Sequence, residues 1–392
     1  MNKYLKICPL RAIDFGDHPS CIIKFTSNGD NMQDTFPIRR IDHIRHYVNN
    51  ARQAAYFYQH VFGFDIVGYY GLETGSRDET GYMLRQKELT VIFSAPLRPG
   101  HPHANDIAQH GDHVQDIAFE VDDVDTAFKL AIERGAEAAY EPKSLSDDNG
   151  SVRIAAIKTY GNVVHTLINR DGYKGHFWPG MRVENEPGDP IGIIDVDHCV
   201  GNVELGCMNK WVKWYEDVLG FKNLISFDDK DISTEYTSLM SKVMSSGNGR
   251  VKFPINEPAP GLKKSQIDEF LEFHGGPGVQ HVAMLTDDII YTVSRLRARG
   301  LNFLTVPRSY YDVLEERVGK IDENIDELAE LGILVDRDDE GYLLQIFSKP
   351  VTDRPTIFYE IIHRKGAKSF GKGNFKALFE SIEREQAVRG TL

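Results

Sequence analysis

Val279-Gln280-His281-Val282-Ala283-Met284, with Asp287-Asp288-Ile289 and Arg299-Gly300 behind it, repeats Val114-Gln115-Asp116-Ile117-Ala118-Phe119, Asp122-Asp123-Val124 and Arg134-Gly135 at one constant offset. The likeness extends outward in both directions. Upstream, Arg40-Ile41-Asp42-His43-Ile44, an aromatic helical run over 54–62 and Gly63-Phe64 recur as Val196-Asp197-His198-Cys199-Val200, a run over 211–219 and Gly220-Phe221. Downstream, Asn162-Val163-Val164-His165-Thr166-Leu167 answers Thr356-Ile357-Phe358-Tyr359-Glu360-Ile361. Ordered self-similarity with so long a period marks a duplicated domain and not a solenoid.

The 392 residues are long enough for two domains, and 41% hydrophobic with 26% charged residues is ordinary globular composition. Pro179-Gly180 through Pro187-Gly188-Asp189-Pro190 is rich in Pro, Gly and charge and reads as an exposed connector. The expected organisation is a tail over 1–35, a first domain over 36–180, a linker over 181–192 and a second domain over 193–392. A net charge of −13 without a compensating basic stripe argues against nucleic-acid and anionic-membrane partners. With neither a signal-like start nor a spanning apolar run, a cytoplasmic address is expected, and the four cysteines, Cys8, Cys21, Cys199 and Cys207, are expected to be reduced thiols.

Three ionisable residues stand in otherwise apolar strand-like runs of the second copy: His198, His281 and Glu360. In Ile357–Ile362 the alternation puts Phe358, Glu360 and Ile362 on one face, so Glu360 needs a cation or strong donors to be tolerated inside. Each histidine alone is more often a hydrogen-bonded strand residue than a ligand. Together, two imidazoles and a carboxylate form the facial set of non-haem iron(II) oxygenases, although zinc takes the same donors. The first copy has His43, Asp116 and Thr166 in these places, and Thr cannot replace a ligating carboxylate, so one metal site is expected. His101-Pro102-His103 reads as a solvated loop. Near the C-terminus, Asn374 is a candidate N-cap, with Phe375, Leu378, Phe379 and Ile382 on one helical stripe.

From about Phe36 to Leu392 the chain resembles the 4-hydroxyphenylpyruvate dioxygenase family. The likeness rests on Asp197-His198, Pro254-Ile255-Asn256-Glu257-Pro258, Lys264-Ser265-Gln266-Ile267 and Gly278–Ala283. It continues in Gly332–Asp338, Leu344-Gln345-Ile346-Phe347, Arg354–Ile362 and Phe370-Gly371-Lys372-Gly373-Asn374-Phe375. The resemblance implies an α+β fold of two tandem vicinal-oxygen-chelate domains. Each would pair two βαβββ modules into an open barrel, with a C-terminal helix added to the second. It implies one Fe(II) per chain on His198, His281 and Glu360, with 4-hydroxyphenylpyruvate and dioxygen as substrates, homogentisate and carbon dioxide as products, and a dimer or tetramer.

By the same resemblance Phe347 and Phe375 flank the aromatic ring, while Phe358, Phe370 and Leu378 close the pocket, with Asn374 in the same substrate-binding set. Ser241, Asn256 and Gln266 take the phenol end, and Gln280 and Gln345 the metal side. Tyr359 departs from the family pattern; its parity, opposite to Glu360, turns it away from the metal. A terminal helix hinged at Gly371 and Gly373 is a candidate lid. Competing readings are 4-hydroxymandelate synthase, which shares ligands and substrate, a non-catalytic metal or aromatic-ligand binder, and, with less support, an extradiol dioxygenase, for which no base is evident.

Overall fold

The computed structural model describes residues 36–228 and 233–392, so the N-terminal tail with Cys8 and Cys21 lies outside the described residues. The repeat seen in the sequence is a repeat of modules. The first domain runs β1 (Ile38–Tyr47), helix Ala51–His60, β2 (Asp65–Tyr70), β3 (Glu79–Gln86) and β4 (Leu89–Pro96). It continues with β5 (His113–Val121), helix Val124–Glu133, β6 (Ala138–Asp147), β7 (Gly150–Lys158) and β8 (Val164–Asn169). After β9 (Arg182–Glu186) the second domain repeats the pattern. Its first module is β10 (Ile193–Asn202), helix Met208–Leu219, β11 (Lys222–Phe227), β12 (Ser238–Ser245) and β13 (Lys252–Ala259). Its second is β14 (Gly278–Thr286), helix Ile289–Ala298, then, after three short helices, β15 (Leu334–Arg337), β16 (Tyr342–Phe347) and β17 (Phe358–Lys365).

The repeated dipeptides have local work to do. Asp123 and Asp288 are N-caps, each accepting from the backbone N–H three residues on, that of Thr126 and of Tyr291. Gly135 (φ +99°) and Gly300 (φ +91°) end the two helices in the left-handed region, where a side chain would be strained. In the helix Met208–Leu219, Val212, Tyr215, Val218 and Leu219 recur at three- and four-residue spacing and are buried, and Gly220 (φ +64°) closes it.

Each domain is one open sheet curled around an interior. The orders are β6-β7-β8-β5-β1-β4-β3-β2-β9 and β11-β12-β13-β10-β14-β17-β16-β15. Modules join through the antiparallel pairs β1/β5 and β10/β14, while β1/β4, β5/β8, β10/β13 and β14/β17 are parallel. One expectation changes: the segment read as a linker contains β9, which pairs antiparallel with β2 (Tyr69 opposite Arg182). It covers an edge that would otherwise expose unpaired peptide groups, and its charged residues Arg182, Glu184 and Glu186 suit an outermost strand.

The two domains share one continuous apolar core. Polar groups cross the same boundary. Tyr58 and Tyr359 hydroxyls meet at 2.5 Å, His165 Nε2 accepts from Tyr215 at 2.8 Å, and Gln86 Oε1 accepts from the N–H groups of Ile191 and Ile193. Tyr359 thus points away from Glu360 and into the domain boundary. The C-terminal helix, Phe375–Arg389, lies with Leu378, Phe379 and Ile382 in an apolar cluster with Phe347, Phe358 and Phe370.

Candidate metal centre and cavity

The register of three neighbouring strands assembles the ionisable trio. On β14, Ala283 stands opposite His198 of β10 on one side and Glu360 of β17 on the other. His281, two residues away, shares the face of Ala283. The side chain that separates His198 from Glu360 in this row is thus a single methyl group. Phe347 stands directly opposite Glu360 on the next strand, β16, so the first aromatic wall is set by the same row.

The ligand atoms of His198, His281 and Glu360 lie within 4.8 Å of one another, with all three side chains buried. Glu360 Oε2 is 3.2 Å from His198 Nε2 and 3.4 Å from His281 Nε2. Both rings are oriented from behind: His198 Nδ1 bonds Asp197 Oδ2 at 2.7 Å, and His281 Nδ1 bonds Gln280 Oε1 at 3.0 Å. With Nδ1 carrying the hydrogen, each Nε2 presents a lone pair inward. His281 Nε2 is buried and has no hydrogen-bond partner among the described residues. Two lone pairs and a carboxylate converging on one point, one of the nitrogens orphaned, is a donor set that fits a divalent transition metal.

The charges agree. Burial opposes ionisation of Glu360, yet the facing imidazoles outweigh it and hold its carboxyl below the usual range. For His198 burial is outweighed by Glu360 and Asp197, which raise it, whereas burial prevails at His281 and lowers it. Asp197 is held well below the carboxylate range against its burial by Arg364 and His198.

A cavity opens from the trio, walled by aromatic and aliphatic side chains. Gln280, Phe347, Phe358 and Phe370 surround its metal end, and Phe375 and Leu378 reach in from the C-terminal helix. Ser241, Asn256 and Gln266 also line it. Ser241 and Asn256 are register partners, and Asn256 stands opposite Asn202, four residues and so roughly 13 Å along β10 from His198. A polar end therefore faces the metal end across apolar walls.

Two residues of the expected set stand outside the lining. Gln345 is on the inner face of β16, two residues from Phe347, but Gly371 lies over it so closely that a Cβ there would come within 2.4 Å of its amide nitrogen. Asn374 is fully buried; its Oδ1 accepts from Tyr310 Oη at 2.6 Å, and its side chain makes no cap bond to the helix that follows. It fastens the start of that helix and takes no place on the cavity wall. Conversely, Val200, Phe227, Leu239, Val243 and Pro254 line the cavity without having been singled out. Alternation marks most of them: Val200 is two residues from His198, Leu239 and Val243 flank Ser241, and Pro254 is two from Asn256.

The first barrel handles the same positions differently. Asp116 accepts from the backbone N–H and the hydroxyl of Thr166, at 3.0 and 2.5 Å, so its carboxylate is satisfied by donors. By register, Tyr70 and Ser94 correspond to Phe227 and Asn256. They bond each other and Arg45, which is also paired with Glu79. An internal guanidinium occupies what is cavity in the second barrel. His101-Pro102-His103 is not a solvated loop either. His101 caps the helix Pro102–His110, and His103 is stacked on Tyr47 at 3.8 Å and lies 3.1 Å from Glu79. Glu79, His101 and His103 are close enough for a cation, but Arg45 already neutralises that carboxylate.

The pattern of the Glyoxalase/Bleomycin resistance protein/Dioxygenase superfamily matches residues 40–156 and 196–346. A 4-hydroxyphenylpyruvate dioxygenase of Yarrowia lipolytica is 48% identical over 369 residues, spanning 90% of this chain and 94% of the relative. One of Caenorhabditis elegans is 47% identical over 364 residues, spanning 90% and 93%. Among solved structures, a triple mutant of 4-hydroxymandelate synthase from Streptomyces coelicolor superposes with a TM-score of 0.81 at 33% identity, over 90% of this chain and 100% of that one.

Proposed function

The chain belongs to the 4-hydroxyphenylpyruvate dioxygenase family, and from that premise we propose that it turns 4-hydroxyphenylpyruvate and dioxygen into homogentisate and carbon dioxide at one iron(II) ion held by His198, His281 and Glu360. It is a dioxygenase of the vicinal-oxygen-chelate type. The observation that carries the assignment of the site is the orphaned His281 Nε2, aimed with His198 Nε2 at one carboxylate oxygen at the base of an aromatic cavity.

When bound, the ion supplies the Lewis-acid and one-electron chemistry by which dioxygen reacts with a 2-oxo acid. The protein's residues do the rest. Asp197 and Gln280 keep the ring hydrogens on Nδ1, so that both Nε2 atoms stay free to ligate. Phe347 and Phe375 hold the substrate ring between them, and Phe358, Phe370 and Leu378 exclude water from it. Asn256, Ser241 and Gln266 receive the phenol hydroxyl at the polar end, which fixes the direction in which the 2-oxo acid enters. Gln280 can donate from its amide nitrogen beside the metal without competing as an anionic ligand. Gln345, covered by Gly371, backs this wall.

The test is metal-free protein reloaded with iron(II) and supplied with 4-hydroxyphenylpyruvate while oxygen uptake and products are followed. Homogentisate, with one iron per chain, is expected. 4-Hydroxymandelate as the product would instead support the reading that the likeness to the Streptomyces synthase favours. No oxygen uptake above background would leave a binding protein. We further propose a cytoplasmic address and a dimer or tetramer, the assembly being what light scattering would test. No helix among the described residues is long and apolar enough to cross a membrane.

A further inference from the structure

Behind the metal-facing histidine lies a second constellation that occurs twice. In the second domain Arg364 donates from Nε and Nη2 to both oxygens of Asp197, at 2.6 and 2.8 Å, and Asp197 accepts from His198. The third arm of the same guanidinium, Nη1, donates to the carbonyl oxygens of Ala367 and Ser369, at 3.2 and 2.7 Å. Its face lies 5.4 Å from the Phe370 ring, and that ring meets His198 edge to face at 5.1 Å. In the first domain Arg170 pairs with Asp42, Asp42 accepts from His43, and Arg170 Nε donates to Phe177 O at 2.7 Å. The Arg170 guanidinium lies 3.8 Å over the Phe177 ring, which again meets the histidine edge to face at 5.4 Å. Arg170 and Arg364 each stand four residues beyond Thr166 and Glu360.

The duplicate separates two roles. In the first domain the fourfold clasp persists although Asp116 is engaged by Thr166, so the clasp does not require a metal. What it does in both domains is bind the chain that leaves the last strand of the module back onto the histidine of the first strand. In the second domain that chain is 367–370, which leads directly through Gly371 into the helix carrying Phe375 and Leu378 over the cavity. Asp338 holds the same turn by accepting from the N–H groups of Lys368 and Ser369, both at 2.8 Å, but it has no link to a ligand. Among the described residues Arg364 alone bonds both the carboxylate behind His198 and the carbonyls at the root of that helix.

We propose that Arg364 is a positioning residue that couples occupancy of the metal site to closure of the C-terminal helix over the cavity. A cation drawing on His198 Nε2 strengthens the Nδ1–H bond to Asp197 and fixes that carboxylate. A fixed carboxylate orients the guanidinium, whose remaining arm then holds 367–370 in place. By linkage the effect is reciprocal: a closed helix favours retention of the metal by the same factor. The proposal rests on the metal reading given above, and its test separates the two.

Cobalt(II) serves as the probe, with its visible absorption reporting affinity and backbone hydrogen exchange over 371–389 reporting closure. In the unaltered protein, cobalt(II) binding should slow exchange across that helix. In Arg364→Gln the affinity should fall about 10- to 100-fold, and added cobalt(II), even at saturation, should no longer slow exchange. Arg364→Lys should restore part of the affinity by its charge on Asp197 but not the metal-dependent slowing, because one ammonium nitrogen cannot span both carboxylate oxygens and both carbonyls as the three guanidinium nitrogens do. Arg170→Gln, the same substitution in the first domain, should lower the melting temperature while leaving affinity and helix exchange unchanged. If the unaltered protein fails to bind cobalt(II), the metal reading is wrong. If it binds and Arg364→Gln keeps full metal-dependent slowing, or Arg170→Gln weakens cobalt(II) as much, the coupling proposal is overturned and the metal reading stands.

Discussion

Glu360 is 2% exposed, between Phe358 and Ile362, and among the described residues its ion-pair partners are the two histidines and no Lys or Arg. A cation shared with the two Nε2 atoms would stabilise a buried carboxylate in that position. His198→Ala, His281→Ala and Glu360→Ala should therefore each take metal content from about one ion per chain to near zero, read by elemental analysis of folded protein; retention of stoichiometric metal by any of the three would contradict the assignment. Phe375 differs in kind, since it lines the cavity and is not one of the candidate ligands. It stands edge-on to Phe227, another lining residue, at 5.0 Å. Phe375→Ala should raise KM about 10-fold, a loss of roughly 1.4 kcal/mol, with a smaller effect on kcat, and steady-state kinetics would separate the two. Tyr359, next to the ligand, has a third role. Its hydroxyl bonds Tyr58 of the first domain, so Tyr359→Phe should leave metal content intact while lowering stability by about 1–3 kcal/mol, because Tyr58 keeps a buried, unpaired hydroxyl. Chemical denaturation measures that difference.

Among the elements, the turn into the C-terminal helix is the least forgiving. Gly371 has φ +74°, and a Cβ there would stand 2.4 Å from the Gln345 amide nitrogen. Gly373 is equally tight, its N–H donating to Asp336 Oδ2 at 3.0 Å. Together with Asn374 held by Tyr310, these contacts aim the helix so that its apolar stripe faces the cavity. Gly371→Ala should cost more than about 1 kcal/mol through the left-handed backbone alone. By moving the root of the helix it should depress kcat/KM further than its effect on melting temperature accounts for. An alanine variant with unchanged turnover would show that the helix does not need this turn to sit over the cavity.

Across the whole molecule, buried histidines away from the candidate metal site make stability depend on pH. Burial, foremost, depresses His46 and His274 to about 3 and His113 and His165 to about 4. His165 is locked neutral: Nδ1 donates to Ile117 O at 2.9 Å and Nε2 accepts from Tyr215 across the domain boundary. The folded protein thus binds fewer protons than the unfolded chain below the ordinary histidine pKa of about 6.5. Stability is full above that pH and is lost as pH falls toward 4, by up to about 1.4 kcal/mol per histidine for each pH unit. Calorimetry should show the melting temperature falling between pH 6.5 and 4.5, and a flat profile there would mean these rings are protonated in the fold.

The duplication, the modules and the trio were legible along the chain because each leaves a local signature. Asp-Asp caps a helix, Arg-Gly ends it, alternation marks a strand's inner face, and an ionisable residue on that face is conspicuous among apolar neighbours. The repeat added a contrast, since Thr166 stands where Glu360 does. What the sequence alone left open depends on pairings between distant segments. Only the fold set Ala283 between His198 and Glu360, sent Asn374 to Tyr310 and away from the cavity, and turned Gly371 onto Gln345. It also made a strand of 182–186, put His103 against Tyr47, and joined Arg364 to Asp197. Such partners are chosen by register and by the direction of a turn, neither of which any single stretch of residues encodes.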